Sequence, residues 1–320
     1  MPAVLVKSIA LVGVGRAARD WLEVLPEFPE MSLVAAVDPD AERLRGVRAR
    51  GFASVAAMLD AGCVPRIALL CTPPALHLEL AEPLLRAGVD LLVEPPLATT
   101  PADADRIAEV SERSDRCAVT CARLRSAPAF AEARLRIAAG AIGRLCAVEV
   151  SLGRKCDARE GWRGDPALSG GGVWMEIGPD ALDAVEAFAG PVRRIRILDA
   201  ASRQGADVED EVRVETSHDS GVVGLIRVSW NDLSDRPIAR CIGDRGEIVL
   251  GSAQTILRSE DGREQVIAAE IDSIATLAAL MNAFLRECRG PERRVDSGAQ
   301  TLAWIHAGYR SITTRRWELA

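Results

Sequence analysis

The stretch Ser8-Ile9-Ala10-Leu11-Val12-Gly13-Val14-Gly15-Arg16-Ala17-Ala18 sets a strand-like apolar run against a two-glycine turn and leads into a helix-like segment with Trp21, Leu22 and Leu25. In such a strand-turn-helix the first glycine permits a tight bend and the second lets backbone approach a pyrophosphate. The helix N-terminus then supplies N–H donors and a favourable dipole. Ala18 stands where a third glycine is usual and is an allowed replacement. Glycines also occur in strand-to-helix turns that bind nothing, so the turn gains meaning from Asp38, at the end of the next apolar run, LVAAVD. A carboxylate there can bond both hydroxyls of an adenosine ribose and repels a 2'-phosphate, which favours NAD over NADP. Arg16 and Arg43 could accommodate that phosphate, so NADP stays open.

Outward from this turn, residues 1–121 alternate short apolar runs (SIALVGVG, LVAAVD, IALLCT, DLLVEP, CAVTC) with amphipathic stretches. That is the rhythm of βαβ units round a parallel, doubly wound sheet. Within it, Leu76, Leu80 and Leu84 predict one face of a helix that stops at Gly88, and Thr100 with Pro101 and Asp103 predicts a helix start. Ligands gather at the carboxyl ends of parallel strands. Cys71-Thr72-Pro73 leading to His77, and Glu94-Pro95, are therefore expected to face the same crevice as Gly13, Gly15, Arg16, Ala17 and Asp38.

Residues 122–320 read differently. Runs such as RLCAVEVSL, RRIRILD, DEVRVETS and GVVGLIRVSW alternate apolar with polar residues, and SHDSG has hairpin-turn chemistry. This half predicts an α/β domain built on a largely antiparallel, open sheet with one wet face. Such a face is a common meeting place for subunits, so a homodimer or homotetramer through it is expected.

Composition excludes several classes. A net charge of −7 and no dense basic run argue against nucleic acid as a partner. Stretches free of charge, such as Ser273 to Leu285, fall well short of the roughly 18 to 20 residues a membrane span needs. The opening MPAVLVK lacks the pattern of a secretory signal, so a cytoplasmic location is expected. The cysteines form no C-x-x-C pair and the three histidines have no metal-ligand spacing, so no metal centre is expected. One tyrosine, Tyr309, and two lysines, Lys7 and Lys155, leave few candidates for a Tyr or Lys acid.

The second unusual stretch is Gly170-Gly171-Gly172-Val173-Trp174-Met175-Glu176-Ile177-Gly178-Pro179-Asp180-Ala181-Leu182-Asp183. If helical, it stacks Glu176, Asp180 and Asp183 on one face, where neighbouring like charges raise one another's pKa. The bland reading is a solvated acidic face, and Pro179 disfavours an unbroken helix.

The chain resembles the Gfo/Idh/MocA oxidoreductases, the group that contains glucose-fructose oxidoreductase and inositol dehydrogenase. The resemblance is carried by GVGRAA, AAVDPD, CTPPALH, VEPPLATT, AGAIGRL, WRGDPALSGGGVWMEIGPDALD, GDRGEIVL and AGYRS, in this order. It implies a Rossmann domain, a C-terminal α/β domain, a nicotinamide cofactor and a sugar, cyclitol or related carbonyl substrate. It also implies departures: Glu94-Pro95-Pro96 stands where the family has Glu-Lys-Pro, and Asp180 where it has a proton-relaying histidine. Asp183 matches an acid common in the family.

Hydride transfer needs a group that takes or gives the substrate's proton. Asp180 is the first candidate, supported by Glu176. An ordinary aspartate titrates near about 3.9, so acting as an acid near neutrality requires surroundings that raise it. Lys155 is the second candidate, against the plain reading of a surface lysine. Trp162, Trp174, Arg123, Arg125 and Arg163 are expected to wall the substrate pocket together with Asp183. The reading is an NAD(P)-dependent dehydrogenase or reductase. The alternatives are a cofactor-binding sensor with drifted catalytic groups, or an enzyme using transient oxidation.

Overall fold

A computed structural model of the chain describes residues 7–231, 236–269, 271–288 and 298–320. The opening residues read above for a signal lie largely outside these. The chain divides into two compact units, Met1–Cys121 with Leu280–Ala299, and Ala122–Ala279 with Gln300–Ala320. The C-terminal half is thus not one continuous run, since Leu280–Ala299 groups with the first unit.

The first unit holds six strands: β1 (Lys7–Val12), β2 (Met31–Val37), β3 (Arg50–Phe52), β4 (Ile67–Leu70), β5 (Asp90–Val93) and β6 (Ala118–Thr120). They form one sheet in the order β3-β2-β1-β4-β5-β6, every pair parallel. Ile9, Leu11, Leu69, Leu70 and Leu91 are fully buried, as strands covered on both faces require. The order reverses between β1 and β4, and in open α/β sheets a ligand crevice forms at such a switch. The helices that position the site are α1 (Arg16–Val24), α2 (His77–Arg86) and α3 (Pro101–Arg113). Thr100 caps α3 by accepting from the Asp103 N–H, as its sequence predicts. On α2 the buried face is His77, Ala81, Leu84 and Leu85, so of the expected leucine stripe only Leu84 is fully inside. Small Ala81 allows close packing there.

The second unit carries β7 (Leu145–Gly153), β8 (Val192–Ala201), β9 (Glu211–His218) and β10 (Val223–Ser229). It continues through β11 (Ala239–Gly243), β12 (Gly246–Leu250), β13 (Gln254–Ser259) and β14 (Glu264–Ala269). The sheet runs β14-β13-β12-β11-β7-β10-β9-β8, antiparallel throughout except for the parallel pair β7 and β10. Its residues alternate as predicted. Val148, Val150, Val212, Val214, Ile226 and Val228 are buried on one face, against which Val173–Ala189 packs. The register places Arg196, Glu215, Leu225, Glu149 and Arg240 in a row across the other face. With α4 (Pro128–Ala138) counted first, the helix Val173–Ala189 is α5, and α6 (Ser273–Glu287) and α7 (Ala299–Thr314) follow. Pro179 sits buried inside α5 without ending it. Among the described residues no helix is long and apolar enough to cross a membrane.

Candidate active site

In the first unit the glycine turn is built by close approach. Gly13 has φ +84°, and a Cβ on it would lie 2.9 Å from the carbonyl carbon and oxygen of Cys71. Its N–H donates to the Val37 carbonyl at 2.8 Å, while Cys71 N–H donates to Val12 at 2.8 Å, which ties the ends of β1, β2 and β4 together. Gly15 caps α1 with φ −91° and no side-chain hydrogen bond, and a Cβ there would meet nothing within 4 Å. The first turn of α1 carries no acidic residue. The positive end of this helix therefore has open space in front of it and no built-in anion, which fits a bound pyrophosphate. Arg16 is exposed and Ala17 half-buried at the start of the helix.

Asp38 follows β2 and is 4% exposed. Its Oδ2 accepts from Val14 N–H and its Oδ1 from Asp40 N–H, both at 2.9 Å, and the Arg43 guanidinium lies 3.7 Å away. An ionised carboxylate offers about four acceptor positions, so the two backbone bonds fix its orientation and leave capacity for a ribose.

At the ends of β4 and β5 the side chains hold backbone. His77 is 1% exposed; Nδ1 lies 3.1 Å from the carbonyls of Pro96 and Leu97, and Nε2 lies 3.0 Å from that of Thr72. Burial pushes this imidazole below its ordinary value, against the three carbonyls and Glu94, which favour the protonated ring. Both ring nitrogens face backbone carbonyls, and through the one that carries the proton His77 staples the Cys71-Thr72-Pro73 loop against the Pro95–Pro96 cis peptide. Glu94 accepts from the fully buried Trp21 indole at 2.8 Å, which anchors the same loop to α1.

In the second unit two of the three consecutive glycines, Gly171 and Gly172, have a steric cause that the sequence did not reveal. A Cβ on Gly171 would collide with the Tyr309 hydroxyl, and one on Gly172 with the Glu209 carbonyl. Glu209 accepts from Gly172 and Trp174 N–H at 3.1 Å and from the Tyr309 hydroxyl at 2.8 Å. It thereby caps the start of α5. Burial pushes the Glu209 carboxyl up although these donors pull it down, and burial together with Glu209 pushes the Tyr309 phenol well above its ordinary range.

The three acids do share one face of α5, but their mutual repulsion is not what governs them. Glu176 Oε1 accepts from Arg154 and, at 2.8 Å, from Arg163 Nε, while Oε2 accepts from the Trp230 indole at 2.8 Å. The β7–β10 register sets this up, because Arg154 N–H donates to Ser229 and Cys156 N–H to Trp230, both at 3.1 Å. Asp183 pairs with Arg125 at 2.5 Å. Glu176 and Asp183 thus have guanidinium counter-charges, which offset like-charge repulsion. Half-buried Asp180 lies between them on the helix.

Trp174 is fully buried and donates to the Ile305 carbonyl at 3.0 Å, so it is a core anchor and does not wall a pocket. Trp162 is half-buried with the Arg163 guanidinium 4.7 Å above its ring. Arg123 is half-buried in a short helical turn, and Lys155 is exposed in the loop after β7. Among the described residues no group of three or more His, Cys, Asp or Glu could hold a metal ion.

Comparison with known proteins matches residues 7–121 to the model of an oxidoreductase family with an NAD-binding Rossmann fold. Residues 130–249 match the GFO/IDH/MocA C-terminal domain. A protein of Amycolatopsis mediterranei, assigned as the oxidoreductase subunit of a UDP-kanosamine synthase, is 31% identical over 72% of this chain and 70% of its own length. D-apiose dehydrogenase of Paraburkholderia graminis is 25% identical over 96% and 88%. Levoglucosan dehydrogenase, solved with NADH and levoglucosan, superposes with a TM-score of 0.83 at 18% identity, covering 97% of this chain and 98% of that one.

Proposed function

Because this chain belongs to the Gfo/Idh/MocA oxidoreductase family, an enzyme family with an NAD-binding Rossmann domain, we propose that it moves a hydride between NAD and a hydroxyl or carbonyl carbon of a sugar or cyclitol. The observation that carries the reading is the pairing of an uncapped, open helix start at Gly15 with the aligned carboxylate of Asp38. The amides at the start of α1, from Gly15 on, would hold the pyrophosphate, since those of Gly13 and Val14 are already given to Val37 and Asp38, and Asp38 would hold the ribose hydroxyls, where its charge disfavours a 2'-phosphate. Bound NAD supplies a hydride acceptor at its nicotinamide ring. His77 and Glu94 hold the loops that follow β4 and β5.

In the oxidative direction Asp180 takes the proton of the substrate hydroxyl as its carbon loses hydride, work suited to an ionised carboxylate. Glu176, held by two arginines and an indole, orients its neighbours rather than carrying a proton. Lys155, in its exposed loop, takes no part. The sugar-acting relatives support the substrate class. We further assign the outer face of the second sheet as a contact between copies of this chain. It exposes Val223 (39%) and Leu225 (37%) among fixed ion pairs such as Arg196–Glu215 and Arg227–Glu211.

The test is NADH titration by fluorescence, followed by turnover on a panel of sugars and inositols with Asp180→Asn alongside. The expected result is binding by both proteins and turnover only by the native one. Full activity in the variant would remove Asp180 from the mechanism, and cofactor binding without any turnover would turn the reading toward a sensor.

A further inference from the structure

Arg154, Arg163 and Glu176 hold an imbalance of charge. Two guanidiniums meet one carboxylate, and among the described residues neither arginine has a second acidic partner within ion-pair distance. The side chains are withdrawn from solvent, at 25%, 23% and 12% exposure. A surplus cation in that setting is costly without a counter-ion.

The donors left over have a shape. Arg163 uses only Nε on Glu176, so both terminal nitrogens remain, and its Cζ lies over the Trp162 ring, 4.7 Å from the centroid. Arg154 gives one terminal nitrogen to Glu176, and its Nε is buried without an acceptor. Paired terminal N–H groups in one plane match a carboxylate in bidentate geometry. Trp230 occupies the second oxygen of Glu176, so that carboxylate is held in place and cannot swing to serve both cations fully. Glu176 precedes Asp180 by one helical turn, a spacing of roughly 5 to 6 Å between Cβ atoms. A charged group at the arginines and a reacting hydroxyl at Asp180 therefore fit within one monosaccharide.

We propose that Arg163 and Arg154 form a subsite for a carboxylate on the substrate, so that this enzyme prefers sugar acids, such as uronic acids, to the corresponding neutral sugars. The inference rests on the reading of Asp180 as the proton-handling group of an NAD-dependent oxidoreductase.

The test compares glucuronate with glucose and galacturonate with galactose, using the full chain with NAD. Each uronate is expected to show a kcat/KM about 10- to 100-fold above its neutral partner, the range of a charge-assisted hydrogen bond, mostly through KM. Arg163→Gln collapses that ratio toward one while retaining NAD affinity, and Arg163→Lys, which keeps the charge but not the fork, restores part of it. Calorimetry of glucuronate and glucose against the NADH-loaded and the NAD-free protein reads the subsite independently of turnover, with melting curves verifying that both variants fold. Equal or better use and binding of neutral sugars, or an equal loss for both members of a pair in Arg163→Gln, would overturn the subsite and leave the oxidoreductase reading standing. Glucose 6-phosphate outperforming glucuronate would overturn the carboxylate assignment in favour of a phosphate. Absence of NAD binding would defeat the proposed function, while the calorimetric preference for glucuronate would still decide the subsite.

Discussion

The two glycines of the first turn separate folding from binding, and replacing each by alanine exposes the division. At Gly13, φ +84° is a left-handed conformation that costs an L-residue roughly 1 to 2 kcal/mol. The new Cβ would also stand 2.8 Å from Thr72 Cγ2 and 2.9 Å from the Cys71 carbonyl, which is backbone at the end of β4. Forcing an extra carbon into a close-packed place adds about 1 to 3 kcal/mol. Gly13→Ala should therefore lose about 2 to 5 kcal/mol, a large share of the roughly 5 to 15 kcal/mol that holds a typical domain together. Gly15→Ala is the contrast. Its φ of −91° suits any residue and no atom lies within 4 Å, so its stability should stay within about 1 kcal/mol of the native chain. Its Cβ nevertheless stands in the approach to the α1 N-terminus, and NAD affinity should fall about 10- to 100-fold, as for the loss of one charge-assisted hydrogen bond. Urea unfolding followed by circular dichroism gives the first quantity and NADH fluorescence titration the second. A Gly13→Ala protein as stable as the native one, or a Gly15→Ala protein that binds NADH undiminished, would refute the assignment of the two glycines to these separate tasks.

The His77 staple predicts a pH dependence. Burial holds its imidazole below the ordinary value of 6.5, so the unfolded chain binds the extra proton first, and its stabilisation is present above that pH and lost as pH falls below it. The difference in unfolding free energy between the native protein and His77→Gln should shrink on acidification, by up to about 1.4 kcal/mol per pH unit; a difference that grows instead would show that the carbonyls of Thr72, Pro96 and Leu97 hold the ring as an imidazolium. For the outer sheet face, Leu225→Arg places a cation in the row beside Glu149 and Glu215 and should convert an oligomer to single chains in sedimentation. An unchanged mass, or a single chain before substitution, refutes that contact.

What could be read in the sequence is what neighbouring residues decide among themselves. The Gly13–Gly15 turn, the Thr100 cap and the alternation of Val212 and Val214 between charges are local, and each has the structure its spacing predicts. The acidic face of α5 was local too, yet its electrostatics were not. Arg163, Arg154 and Trp230 reach Glu176 across 13, 22 and 54 positions, and the last two meet there only because β7 and β10 pair in parallel with Ser229 opposite Gly153. A reading confined to helix periodicity therefore saw three acids where the fold supplies counter-charges to Glu176 and Asp183. The same limit hid Glu209. Its partners lie 35 to 100 positions away at Trp174, Gly172 and Tyr309, and only the small residues at Gly171 and Gly172 hinted that something had to press against them. Trp174 shows the converse: an aromatic beside glycines looks equally like a pocket wall or a core anchor, and the Ile305 carbonyl, 131 positions on, decides for the core. Charge spacing along a helix thus fixes which acids are neighbours, while the sheet that the helix covers fixes which of them are already neutralised. At Glu176 the second puts two guanidiniums on one carboxylate, which the acidic sequence GGGVWMEIGPDALD does not convey.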